Sequence, residues 1–184
     1  MTERRAHVVL VGLSGTGKST VAPLLAERLG LRCVDVDREV VAAAGQSVAD
    51  IFATAGESAF RAAESVALAA TLDGPTAVVA TGGGIVLDPA HRLALRSTGT
   101  VVWLRATPAV LVGRLDADAE ERPLLADGAQ VALGRLERMA AEREPLYREI
   151  ANFVVDVDDL GVEQIVERIS EHLAVGVASE EVQQ

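Results

Sequence analysis

The chain has 184 residues, a formal net charge of -10 and 49% hydrophobic residues, nearly all of them aliphatic. That length is one domain's worth, with enough Val, Leu, Ile and Ala to fill a core. The acid excess argues against a nucleic-acid or anionic-membrane surface, because no basic stripe is present to neutralise phosphates.

A single cysteine, Cys33, excludes an internal disulfide, no apolar run reaches bilayer length, and the first residues lack a secretory signal. The expectation is a cytoplasmic protein with small-molecule partners.

Apolar β-branched runs alternate with Ala- and Leu-rich helical stretches, the pattern of a parallel sheet covered on both faces. The first run, Val8 to Val11, leads into G-L-S-G-T-G-K-S from Gly12 to Ser19, a full match to G-x-x-x-x-G-K-[ST] between a strand and a helix. Gly12, Gly15 and Gly17 let the backbone curl so that N–H groups face phosphate oxygens, and the helix adds its positive N-terminal end. The nucleotide phosphates are expected at Gly15, Thr16, Gly17, Lys18, Ser19 and Thr20, with Lys18 at the β- and γ-phosphates and Ser19 on Mg²⁺. Of the seventeen basic residues only Lys18 is a lysine. An ammonium on a thin stem fits a tight loop that a planar guanidinium does not. The helix is predicted to end at Leu29, where Gly30 tolerates a positive φ.

A second strand is predicted at Cys33 to Val36. Alternation puts Asp35 and Asp37 on one side of its carboxyl end. No Asp follows the third run, so Asp35 can serve the metal and Asp37 an acceptor hydroxyl; the alternative is two solvated turn carboxylates. Ser47 with Asp50 marks a helix start, Gly56 a break, and a further helix is expected from Glu57 to Leu72. On it, Arg61 and Glu64 at i and i+3 form either a surface ion pair or a guanidinium held in place to bind an anion. The third strand, Thr76 to Ala80, is followed by Thr81 to Gly84, T-G-G-G, either a plain loop or bare backbone for close approach of a ligand. Thr100 to Leu104 is the fourth strand, with Trp103 expected in the core. Asp116 to Arg122 is polar and lies between helical segments. Arg122 in "ERPLL" and Arg143 in "EREPLY" offer the same choice as Arg61. Phe153 to Val157 is the fifth strand, a last helix runs from Val162 to Leu173, and 174–184 is expected to fray. His7, His91 and His172 stand in no catalytic or metal-ligand pattern and are expected to be solvated or locally bonded.

In this order, G-x-x-G-x-G-K-S, D-x-D, "IFATAGESAFRAAE", "GGG", "RPLL" and "REPLY" resemble the shikimate kinase family, over roughly Val8 to Leu173. The resemblance implies a single α/β domain: a three-layer P-loop fold with a five-stranded parallel sheet flanked by helices, a substrate-binding segment at about 38–72 and a mobile lid at about 113–125. It implies transfer of the ATP γ-phosphate to the 3-hydroxyl of shikimate by a monomer, with Mg²⁺ as cofactor. Asp37, Arg61, Gly83 and Arg143 would bind shikimate, Asp37 at the hydroxyl and both arginines at the carboxylate. Arg122 would close over the phosphates, making Lys18, Asp37 and Arg122 the catalytic set, while Arg114 would lie against adenine and Ser19 with Asp35 would serve the metal. The chain departs from the family pattern at Ala22, where Gly is frequent, and at Asp158 and Asp159 in the expected adenine loop. The alternatives are another metabolite kinase on this fold, such as one acting on gluconate, or a nucleotide-dependent switch without an acceptor.

Overall fold

His7–Val11 is buried at every position, as a strand covered on both faces must be, and this strand, β1, forms the centre of the sheet. The computed structural model describes residues 6–117 and 129–181. Among them β2 (Arg32–Asp35), β3 (Ala77–Ala80), β4 (Gly99–Arg105) and β5 (Phe153–Asp156) join β1 in one parallel sheet of order β2-β3-β1-β4-β5. The register sets Leu10, Ala80 and Asp35 level, so β1, β3 and β2 open their carboxyl ends along one edge. Ligands in such sheets bind beyond that edge, where the strand order reverses.

The helices are α1 (Lys18–Leu29), α2 (Val36–Ala44), α3 (Val48–Asp73), α4 (Pro89–Thr98), α5 (Pro108–Ala117), α6 (Ala129–Ile150) and α7 (Val162–Glu181), with a 3₁₀ turn at Ile85–Leu87. Helices α1 and α7 pack on each other, α1 against β2 and β3 and α7 against β5, while α4 and α6 pack on β4. The sheet is therefore the middle of three layers, as expected. Gly30 caps α1 at φ 64°, its N–H donating to the carbonyls of Ala26 and Glu27. The Ser47 hydroxyl accepts from Asp50 N at the start of α3, and Gly56, at φ 82°, interrupts that helix where the sequence marks a break.

Two expectations need correction. The second strand stops at Asp35, and Asp37 lies in the first turn of α2. The cause is local, because the Asp35 side chain accepts from Asp37 N and Arg38 N and so caps a helix where the alternation argument assumed a strand. Helix α7 runs past Leu173 to Glu181. Ala174, Ala178, Glu180 and Glu181 are good helix formers, and a single Gly176 costs only about 1 kcal/mol.

Of the two settings expected for the histidines, His7 and His91 take the bonded one, and both are buried. Ala77 N donates to His7 Nδ1 at 3.2 Å, so His7 Nε2 carries the hydrogen and donates to Leu72 O at 3.1 Å. His91 Nδ1 lies 3.2 Å from Ile85 O, and Nε2 lies 2.8 Å from the hydroxyl oxygen of Ser65, which itself donates to Arg61 O. His172 stacks on Phe153, and Trp103 lies in the core as expected; Ala22 is also buried there.

Candidate active site

The phosphate loop leaves β1 at Gly12, whose φ of 143° and contact with Leu104 O leave no room for a Cβ atom. Lys18 opens α1 and is 7% exposed, with Nζ donating to Gly12 O and Leu13 O at 2.8 Å each and to Thr16 Oγ1 at 3.4 Å. The ammonium thus lies against the loop's own backbone. Gly15, Thr16, Gly17, Ser19 and Thr20 line the same cavity of about 500 Å³, which continues to Asp37, Thr81, Gly82, Gly83 and Arg114. Leu160 to Val162 and Ile165 supply its apolar wall, a lining that the sequence patterns did not single out.

The two aspartates stand in different settings. Ser19 Oγ donates to Asp35 Oδ2 at 2.7 Å, while Asp35 Oδ1 caps α2. Asp37 reaches the cavity from the first turn of α2, and its buried Oδ1 has no hydrogen-bond partner among the described residues. Burial, helped by the negative charges of Asp35 and Glu64, pushes the Asp37 carboxyl up from 3.8 to about 6, against the opposing pull of Lys18 and Arg61. The pair Ser19 and Asp35 is a hard-oxygen donor set at the phosphate end, which fits Mg²⁺.

Arg61 projects from the part of α3 beyond Gly56. Its Nη1 donates to Glu64 Oε2 at 2.7 Å and its Nη2 to Glu57 Oε1 at 3.3 Å. Glu64 is fully buried and its Oε1 is without a hydrogen-bond partner among the described residues, so this is no surface ion pair. The glycine loop closes on these groups. A Cβ on Gly82 would stand 2.9 Å from Asp37 Oδ1, one on Gly83 would stand 3.1 Å from Ser14 N, and one on Gly84 would overlap the Arg61 guanidinium. Only bare backbone fits between the phosphate loop, Asp37 and Arg61. From α6, Arg143 Nη1 donates to Gly83 O at 3.2 Å, and its buried Nε has no hydrogen-bond partner among the described residues.

Asp37, Arg61 and Arg143, from three helices, are therefore gathered around the glycine loop; Asp37 and Gly83 line the cavity of Lys18, while the two arginines stand behind Gly83 and Gly84 and are not among its lining residues. Arg114 lies at the far wall, donating to Val157 O at 2.6 Å. Asp158, one of the acidic residues in the expected adenine loop, accepts from Thr107 N at the start of α5. Arg122 and most of the expected lid fall outside the described residues. Tyr147, which also bonds Gly83 O, was missed by sequence reasoning although it ends the "REPLY" segment one helical turn after Arg143.

A family model described as shikimate kinase matches residues 14–174. The shikimate kinase of Symbiobacterium thermophilum is 46% identical over 167 residues, covering 91% of this chain and 95% of that protein. That of Paramagnetospirillum magneticum is 45% identical over 166 residues, covering 90% and 83%. Among solved structures, the shikimate kinase from Acinetobacter baumannii in complex with shikimate superposes with a TM-score of 0.87 at 31% identity, covering 95% of this chain and 96% of that one.

Proposed function

The chain belongs to the shikimate kinase family, and we infer that it transfers the γ-phosphate of ATP to the 3-hydroxyl of shikimate, giving ADP and shikimate 3-phosphate in the route to chorismate and the aromatic amino acids. The observation that carries this reading is the arrangement around Gly83. An unpartnered buried carboxylate oxygen on Asp37 and two guanidinium groups, Arg61 and Arg143, meet the bare backbone of the glycine loop, whose Gly82 and Gly83 line the same cavity as Lys18. A hydroxy-acid supplies what those groups lack: a hydroxyl to donate to Asp37 and a carboxylate to accept from the arginines.

Phosphoryl transfer asks mainly for positioning and charge stabilisation. Lys18, released from Gly12 O and Leu13 O, neutralises charge on the transferred group, as do the loop's N–H groups. Asp37 orients the acceptor hydroxyl and takes its proton at Oδ1. A carboxyl near 6 is largely ionised at neutral pH yet is more basic than an ordinary aspartate. Ser19 and Asp35 would hold Mg²⁺, which supplies charge neutralisation at the phosphates. Arg114 bounds the nucleotide end of the cavity, and Arg122 is assigned to the closing lid on family resemblance alone.

Among the described residues no helix is long and apolar enough to cross a membrane; use of ATP fits a cytoplasmic location.

The test is ADP release by the purified chain with Mg·ATP alone, with shikimate and with gluconate. Stimulation by shikimate alone supports the reading. Equal stimulation by gluconate would favour a broader metabolite kinase, and no stimulation by either would favour a switch.

A further inference from the structure

Three consecutive glycines have no side chains to pack, so the orientation of this loop depends on what its peptide groups bond. Gly83 O accepts from two donors on α6: Arg143 Nη1 at 3.2 Å and the hydroxyl of Tyr147. Tyr147 has no solvent exposure, and its ring lies 5.6 Å from that of Trp103 in the core. Burial raises its pKa, so the hydroxyl keeps its hydrogen across the physiological range. Gly83 O and Gly84 N–H belong to one planar trans peptide and point in opposite directions. A donor that pins the oxygen towards α6 therefore aims the N–H away from α6. The same peptide is wedged between Ser14 of the phosphate loop and the Arg61 guanidinium.

We propose that Tyr147 is a positioning residue for the acceptor: its hydroxyl, sharing Gly83 O with Arg143, holds the Gly83–Gly84 peptide in the plane that presents bare backbone to shikimate, so that Arg143 does not steady the loop alone. Without that hydroxyl, Gly83 O has Arg143 as its one remaining side-chain donor among these residues, and a guanidinium that must steady the loop is a poorer partner for the substrate. This inference rests on the assignment of shikimate as acceptor, and its test separates the two.

Tyr147→Phe removes one oxygen and keeps the ring beside Trp103. The expected result is a rise of about tenfold in KM for shikimate, the scale of one lost hydrogen bond, with KM for ATP within about twofold. Amide exchange in 81–87 should quicken while exchange in β1 and β4 stays as in the parent chain. Unchanged shikimate KM together with unchanged exchange in 81–87 would overturn the proposal, as would a uniform rise in exchange with both KM values unaltered, the mark of a purely structural tyrosine. If the parent chain shows no shikimate-dependent turnover, the assigned function fails, whereas exchange in 81–87, measured without substrate, still decides whether the hydroxyl holds the loop.

Should the variant not fold, the parent sequence suffices, because Tyr147 is the chain's single tyrosine. Uniform 3-fluorotyrosine labelling then yields one ¹⁹F signal. That signal should move on addition of shikimate; a signal indifferent to saturating shikimate, in a chain that turns it over, would refute the role.

Discussion

Asp37→Asn is expected to make the protein more stable at about pH 8 while removing most of its turnover. The carboxyl stands near 6 in the folded chain against 3.8 ordinarily, chiefly through burial. A rise of about two units corresponds to roughly 3 kcal/mol by which folding disfavours the ionised group. Because the folded value lies above the unfolded one, the native state holds the extra proton between about pH 4 and pH 6, and its stability falls as pH rises across that window.

Asparagine never ionises. The variant should therefore match the parent near pH 4 and exceed it by about 1 to 3 kcal/mol at pH 8, the lower figure allowing for an amide that must occupy the same unpartnered position. Loss of the proton acceptor should reduce kcat by about 100-fold or more, with Mg·ATP affinity nearly unchanged. Urea unfolding of both proteins at several pH values measures the stability difference, and steady-state kinetics the rest. A stability difference that is independent of pH, or a variant less stable at pH 8, would refute the account of Asp37 as a carboxylate held at electrostatic cost for the sake of chemistry.

Lys18→Arg conserves charge but cannot set a single nitrogen between Gly12 O and Leu13 O. It should lose more than about 100-fold in kcat with little change in melting temperature, measured by ADP release and thermal unfolding, and near-parent turnover would contradict the steric argument. Asp35→Asn keeps a good helix cap for α2, so stability should hold while the Mg²⁺ concentration for half-maximal rate rises about tenfold; a Mg²⁺ titration overlying that of the parent would remove Asp35 from the metal site. Gly84→Ala suits the backbone, at φ -95°, yet its methyl falls on the Arg61 guanidinium. KM for shikimate should rise about tenfold or more at unchanged KM for ATP, and calorimetric titration showing equal losses for both ligands would argue against Arg61 as an acceptor contact.

The features legible in sequence were those governed by short-range sterics. The phosphate loop, the Gly30 cap, the Ser47 cap and the Gly56 break each show in residues close together in the chain, and the structure keeps each where it was expected. The Arg61–Glu64 pair was equally local, because i and i+3 meet on any helix.

Sequence spacing misplaced Asp37, since strand alternation and a helix cap compete at Asp35 and the cap prevails once two N–H groups reach its carboxylate. It was silent on the bond from Tyr147 to Gly83, which joins residues 64 positions apart, and on the buried settings of His7 and His91. Nor could it distinguish a surface ion pair from the fully buried Glu64, or an ordinary aspartate from one held near 6. Burial and charge at one residue are set by everything packed around it. Which phosphate-binding loop this is could be read along the chain; where Asp37, Arg61 and Arg143 meet was decided only when distant segments closed on three glycines.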